Sequence, residues 1–217
     1  MNRTEQGIAK YLGEDCLHFL QKVRIGIAGA GGLGSNCAMH LVRSGFKQFT
    51  IADFDRIEES NLNRQFYFME QVGMSKVEAL CENLRNINPD LDTIKHVQTV
   101  SRENMLELFG ECDVIIEAFD DAASKKALVE TFLPTDKLLV SASGMGGAGN
   151  SDEIKTRRVR DNFYIVGDMK TECNAENPPF SPRVAICAAK QADIVLSHYL
   201  NKFNSEQTQT NRDSKGL

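Results

Sequence analysis

Val23-Arg24-Ile25-Gly26-Ile27-Ala28-Gly29-Ala30-Gly31-Gly32-Leu33-Gly34 is a short apolar run that opens into glycines and then resumes as an apolar segment. Bounded by glycines, the run reads as a buried parallel strand. The glycines after it allow a tight turn and let backbone N–H groups approach a phosphate, which a helix N-terminus then attracts. That helix is expected over 35–43, where apolar residues occupy most of the circumference. A GxGxxG alone is a weak signal; the strand before it and the helix after it give it weight.

Outward from this loop the same rhythm continues. A second strand over 48–52 ends at Asp53, nineteen residues past Gly34, where a carboxylate can hold ribose hydroxyls. Residues 76–88 form an amphipathic helix with Val77, Leu80, Cys81, Leu84 and Ile87 on one face, stopped by Pro89. Strands are expected over 93–99, 113–119 and 138–143, with helices over 102–109 and 122–133 between them. This alternation predicts an α/β, Rossmann-like fold: a mostly parallel sheet with helices on both faces. Beyond Gly144 a short antiparallel extension follows (154–159 and 162–166), then a loop over 167–182 and a final apolar helix over 183–200. Residues 1–22 read as a helical arm, 23–200 as the nucleotide-binding domain, and 201–217 as a polar, disordered tail.

The formal charge of −5 argues against sequence-independent nucleic-acid binding, which needs a clustered excess of Lys and Arg. The run Lys155-Thr156-Arg157-Arg158-Val159-Arg160 is the local exception. It reads first as a solvated face, second as a dock for an acidic protein surface. Six cysteines are scattered singly with no CxxC pair, so no structural zinc is predicted. With no signal peptide and no apolar run long enough for a bilayer, a cytoplasmic protein with reduced thiols is expected, without a membrane partner.

Gly29, Gly31, Gly32, Gly34 and Asp53 alone would suggest an NAD-dependent oxidoreductase. The segment Asp53-Phe54-Asp55-Arg56-Ile57-Glu58-Glu59-Ser60-Asn61-Leu62-Asn63-Arg64-Gln65-Phe66 points elsewhere. It carries a density of amides and arginines that suits a triphosphate and its leaving pyrophosphate better than a dinucleotide. Lys76, opening the next helix, can reach the same phosphates. Asp120 and Asp121 follow the fourth strand at the carboxyl edge of the sheet, where open α/β folds bind ligands and where one carboxylate suits Mg²⁺. Asp55, Asn63 and Gln65 could equally cap turns, and Asp121 could cap a helix.

In combination, the glycine loop, Asp-Phe-Asp (53–55), Ser-Asn-Leu-Asn-Arg-Gln-Phe (60–66), Gly-Met-Ser-Lys-Val-Glu (73–78) and the Asp120-Asp121 pair resemble the ThiF/MoeB/ubiquitin-activating-enzyme superfamily. The short chain is most similar to ThiF proteins, which adenylate the sulfur carrier ThiS in thiamine biosynthesis. The resemblance implies an ATP-dependent adenylyltransferase that activates the C-terminal carboxylate of a small ubiquitin-like sulfur carrier and releases pyrophosphate. It also implies a homodimer. The glycine loop, Asp53, Asp55, Asn61, Arg64 and Lys76 would bind ATP, Arg64, Lys76 and Asp120 would be catalytic, and Asp120 would hold Mg²⁺. A relative acting on a small carboxylate or a modified tRNA base is the runner-up; a non-catalytic nucleotide-binding subunit is a further alternative, against which the retention of Lys76 and Asp120 argues.

The chain departs from the family in three places. It lacks the paired CxxC zinc ligands of many members, its arm offers only Arg3 as an arginine to reach a partner subunit, and Cys173, the lone cysteine of the loop after the sheet, lacks the local pattern of the family's catalytic cysteine. Cys173 is therefore expected to be a bystander. Cys37, Cys81, Cys112 and Cys187 read as core packing, and the four histidines form no constellation.

Overall fold

The computed structural model describes residues 1–213. Its centre is a seven-stranded sheet in the order β3-β2-β1-β4-β5-β7-β6. The strands are β1 (Arg24–Ala28), β2 (Gln48–Ala52), β3 (Asp92–His96), β4 (Val114–Glu117), β5 (Leu138–Ala142), β6 (Lys155–Arg160) and β7 (Phe163–Gly167). All neighbours are parallel except β6 and β7, which run antiparallel. β1 carries Ile25 and Ile27 between Phe49 and Ile51 of β2 on one side and Val114 and Ile116 of β4 on the other. The chain builds outward from β1 to β3 and then crosses back to place β4 beside β1. The carboxyl ends of β1 and β4 are thus the point where strand order reverses, the crevice in which such sheets bind ligands.

Helices cover both faces, as expected. On one side α3 (Gly32–Arg43), α4 (Lys76–Ile87) and α7 (Ser181–Asp213) contribute Leu41, Leu80, Leu84, Cys187 and Val195 to the larger core. On the other, α5 (Met105–Phe109) and α6 (Ala122–Phe132) bury Leu108, Phe109, Leu128 and Phe132. The four cysteines assigned to packing, Cys37, Cys81, Cys112 and Cys187, are buried.

The arm is two helices, α1 (Arg3–Leu12) and α2 (Glu14–Leu20), parted at Gly13. It is fastened to the chain's own α4: Asn2 caps α1 and donates to the Asn88 side chain at 2.6 Å, and the Thr4 hydroxyl donates to the Ile87 carbonyl at 2.8 Å. Glu5, only 2% exposed, pairs with Lys47 at 3.0 Å.

The final helix differs from expectation. It begins at Ser181 and runs unbroken to Asp213, through most of the stretch anticipated as a disordered tail. Tyr199 and Phe203, one helical turn apart, continue its apolar stripe onto Phe19 of α2, with ring centroids 6.3 and 5.5 Å away. That packing supplies what a polar composition cannot. Residues 214–217 of the anticipated tail lie outside the described residues. No helix among the described residues is long and apolar enough to cross a membrane.

The connection from β7 to α7 is held by one buried ion pair. Arg183, 4% exposed, approaches Asp168 Oδ2 at 2.5 Å and donates to the Gly149 and Asn150 carbonyls at 2.8 and 3.0 Å. Asp168 also accepts from the Lys170 and Thr171 N–H groups and the Thr171 hydroxyl. Burial pushes the Asp168 carboxyl upward, but the Thr171, Lys170 and Arg183 donors outweigh it and hold it at about 2. A depressed carboxylate contributes stability that is present above its unfolded value and lost as pH falls through the folded one. Asp168→Ala strands the Arg183 charge and should cost about 3–5 kcal/mol in urea unfolding at neutral pH. The gap between wild type and variant should narrow between about pH 4 and pH 2; an equal gap at every pH would refute the assignment.

Candidate functional site

The glycine loop leaves β1 and turns directly into α3, which starts at Gly32, earlier than the expected Ser35. Two glycines are required by geometry. Gly29 has φ 99°, and a Cβ there would meet the Ala118 carbonyl oxygen at 2.8 Å; a Cβ on Gly34 would collide with the Gly29 carbonyl. The loop therefore lies against the end of β4 and folds back on itself. Gly31 is the N-cap of α3 and has no side chain to cap it, so the first N–H groups of the helix are left for a ligand.

Asp53 binds this loop rather than standing apart from it. Its Oδ2 accepts the Ala30 N–H at 2.6 Å and its Oδ1 the Asp55 N–H at 2.8 Å. Burial raises its carboxyl above the ordinary range against those two N–H donors and the nearby Lys76 charge. Lys76, 6% exposed at the first turn of α4, pairs with Asp55 Oδ2 at 2.6 Å. Asp55 is thus the counter-ion of Lys76. Tyr67, unmarked by any motif in the sequence, donates its hydroxyl to the Ala30 and Lys76 carbonyls at 2.7 and 3.2 Å, joining loop to helix.

Arg64 lies over the glycine loop: a Cβ on Gly32 would be 3.5 Å from Arg64 Cγ. Its NH1 donates to the Ser60 carbonyl and to Asn63 Oδ1, and Asn36 of α3 donates to its carbonyl at 2.8 Å. Asn61 is buried and serves the local turn, its Oδ1 accepting the Glu58 N–H at 3.1 Å while its Nδ2 lies 3.4 Å from Ser60 Oγ. Asn63 reaches across to the Pro179 carbonyl at 3.2 Å, tying this segment to the loop before α7. Gln65 is buried against the loop.

Asp120 is exposed and makes no hydrogen bond or ion pair among the described residues. Asp121 is the N-cap of α6, accepting the Ser124 N–H at 2.7 Å, which lowers its carboxyl below the ordinary range. Beneath them, Glu117 at the end of β4 is fully buried and paired with Lys125 at 3.0 Å. Spacing in the sequence offered no reason to single out either residue. A lone, unpartnered carboxylate suits Mg²⁺ that is shared with phosphates and keeps several waters. Among the described residues no three His, Cys, Asp or Glu side chains converge, so a metal cage made wholly of protein groups is not on offer.

The loop between β7 and α7 folds over the turn at 144–149: a Cβ on Gly146 would meet the Glu172 and Asn177 carbonyl oxygens at 2.6 and 2.7 Å. Cys173 is exposed in this loop. Partial desolvation of its thiol by the surrounding loop raises it above the ordinary value, with Arg64, Lys125 and Arg183 pulling the other way. A cavity of about 70 Å³ lined by Arg24, Phe49, Thr50 and Asp92 lies at the opposite edge of the strands and is too small for a nucleotide.

The structure thus brings the glycine loop, Asp53, Asp55, Lys76 and Arg64 together, with Asp120 in the turn after the adjoining strand β4. Several known proteins are similar to this chain. SUMO-activating enzyme subunit 2 of Dictyostelium discoideum is 30% identical over 193 residues, 88% of this chain and 27% of that protein. Adenylyltransferase and sulfurtransferase uba4 of Aspergillus niger is 33% identical over 170 residues, 78% of this chain and 35% of that protein. tRNA threonylcarbamoyladenosine dehydratase 2 of Saccharomyces cerevisiae is 34% identical over 166 residues, 75% of this chain and 35% of that protein. The chain spans about a third or less of the length of these curated relatives. Among solved structures, the E. coli tRNA N6-threonylcarbamoyladenosine dehydratase in complex with ATP has the same fold, with a TM-score of 0.80 at 22% identity over 95% of this chain and 96% of that one. The profile of the ThiF family matches residues 4–213, from the first turn of the arm to the end of α7, and the chain belongs to that family.

Proposed function

We propose that this chain binds ATP at the carboxyl ends of β1 and β4 and joins the carboxylate of an acyl substrate to AMP, releasing pyrophosphate. The observation that carries the reading is the gathering about the glycine loop of uncapped helix N–H groups and two cations (Arg64 and Lys76), with an unpartnered carboxylate (Asp120) in the turn that follows β4. Each Asp53 oxygen keeps a lone pair for a ribose hydroxyl, since each already accepts one N–H. The first N–H groups of α3 face a phosphate. Arg64, whose Nε and NH2 make no hydrogen bond among the described residues, and Lys76, whose ammonium spends one N–H on Asp55, screen the charge that grows on the departing pyrophosphate. Asn61 has only its Nδ2 left for such a contact. Mg²⁺, held by Asp120 when bound, would add further screening.

A carboxylate is ionised at neutral pH, so the attack on the α-phosphorus needs no general base; alignment and charge screening suffice. This chemistry makes no use of a nicotinamide.

On the substrate, the relatives point first to a modified tRNA base. A tRNA dehydratase shares 34% identity, and another, solved with ATP, shares the fold over nearly the whole of both chains. The second reading is the C-terminus of a small ubiquitin-like carrier, supported by likeness to SUMO-activating enzyme subunit 2 and to uba4, named an adenylyltransferase and sulfurtransferase. ThiS and thiamine biosynthesis are one case of this second reading; none of these four proteins is named for them.

ATP–pyrophosphate exchange, run in parallel with threonylcarbamoylated tRNA and with carrier proteins ending in Gly-Gly, tests the proposal. Exchange stimulated by one class identifies the substrate, and no exchange with any carboxylate would overturn the activity. Asp120→Ala should lower exchange by at least a hundredfold with the unfolding midpoint unchanged; wild-type rates in the folded variant would remove Asp120 from the chemistry. Cys173→Ser should keep exchange within about twofold, because the nucleophile is the substrate's own carboxylate. A collapse of exchange there would add a thiol step to the mechanism. A homodimer is also proposed, although α7 and the arm spend much of their apolar surface within the chain. Light scattering showing an active monomer at micromolar concentration would refute it.

A further inference from the structure

Asp120 projects from the turn between β4 and α6, and both ends of that turn are fixed by carboxylates. Downstream, Asp121 caps α6 through the Ser124 N–H. Upstream, Glu117 Oε1 accepts the Phe119 N–H at 2.8 Å and so shapes the backbone immediately before Asp120. Glu117 is itself held from three directions. Lys125 Nζ donates to both of its oxygens at 3.0 and 3.1 Å, Ser141 Oγ donates to Oε2, and Gln191 of α7 donates to its carbonyl at 3.2 Å. Lys125 completes its own set with the Ala142 carbonyl at 3.2 Å. The unit links β4, β5, α6 and α7 directly beneath the crevice.

Stability alone does not account for it. A buried ion pair is commonly matched or exceeded in stability by apolar residues of similar volume, and the strands on either side are already apolar. What apolar residues would not supply is an acceptor aimed at the Phe119 N–H. We infer that Glu117, Lys125 and Ser141 are positioning residues that hold Asp120 at the distance from the nucleotide at which its carboxylate shares a cation with the phosphates. This rests on the ATP-activation reading above. The three residues touch neither nucleotide nor acyl substrate; they act through the turn at 118–121.

The test is the ratio of ATP affinities with and without Mg²⁺, measured by calorimetry on the full chain, which needs no turnover. Glu117→Met combined with Lys125→Met removes the acceptor aimed at the Phe119 N–H and the ion pair together, without stranding a charge. In this double variant the gain in affinity from Mg²⁺ should fall at least fivefold, while metal-free ATP affinity stays within twofold because the glycine loop and Asp53 are untouched. In an Asp120→Ala background the same pair of changes should have no further effect on the ratio. Ser141→Ala, a smaller change, should lower the gain about threefold. A folded double variant that keeps the wild-type ratio overturns the inference, as does a loss equal with and without Mg²⁺, which marks a merely structural role. Should the double variant fail to fold, an unchanged ratio in Ser141→Ala overturns it. A wild-type chain that does not bind ATP would instead sink the activation reading, and the inference with it. One that binds ATP with no gain from Mg²⁺ would remove Asp120's cation and this inference but leave ATP binding standing.

Discussion

The bond from the Ala30 N–H to Asp53 at 2.6 Å ties together the two segments on which the crevice depends. The glycine loop follows β1, and the Asn/Arg-rich segment follows β2. Asp53 ends the second strand and grips the first loop, so neither segment can shift without the other. Its second oxygen fixes the Asp55 N–H, and Asp55 in turn holds Lys76. Tyr67 closes the circuit from the other side, and its burial keeps that hydroxyl protonated well beyond the ordinary range of a phenol. The result is a relay of short contacts across three elements, built before any ligand arrives; such preorganisation makes charge stabilisation effective.

Much of this was legible in the sequence. The apolar strand breaking into glycines, the carboxylate ending the second strand and the pace of strand and helix predicted a parallel α/β sheet, and β1 to β5 stand where they were expected within a few residues. The gathering of Asp53, Asp55, Arg64 and Lys76 could be anticipated because motif residues share a short stretch of chain. Their pairings could not: Asp55 reads from sequence as a turn residue or a ligand, and only folding shows that it sits on Lys76. Tyr67, Glu117 and Lys125 carried no signal because their partners are backbone groups or residues distant in sequence, and a buried Glu is indistinguishable from an exposed one in a linear string. The helical tail was missed for a related reason: Phe203 is one apolar residue in a polar stretch until Phe19 is beside it.

Two buried ion pairs flank the cleft, Glu117 with Lys125 and Asp168 with Arg183. Each sits where an irregular connection leaves the sheet, one before α6 and the other before α7. Regular strands and helices satisfy their own backbone groups; these connections do not, and charged side chains provide the missing donors and acceptors. Rigid connections at this edge are what permit a surface loop to carry chemistry.

The strand β6 closes the sheet on its outer side with all six residues exposed, among them Lys155, Arg157, Arg158 and Arg160, and its pairing with β7 slips between Arg158 and Arg160. An open strand edge is a template on which another chain can add itself. Here a second copy pairing edge to edge would set cation against cation, along a backbone too irregular to offer a continuous ladder. The basic run thus works as a terminator of the sheet, keeping a largely apolar α/β core from growing from one molecule into the next.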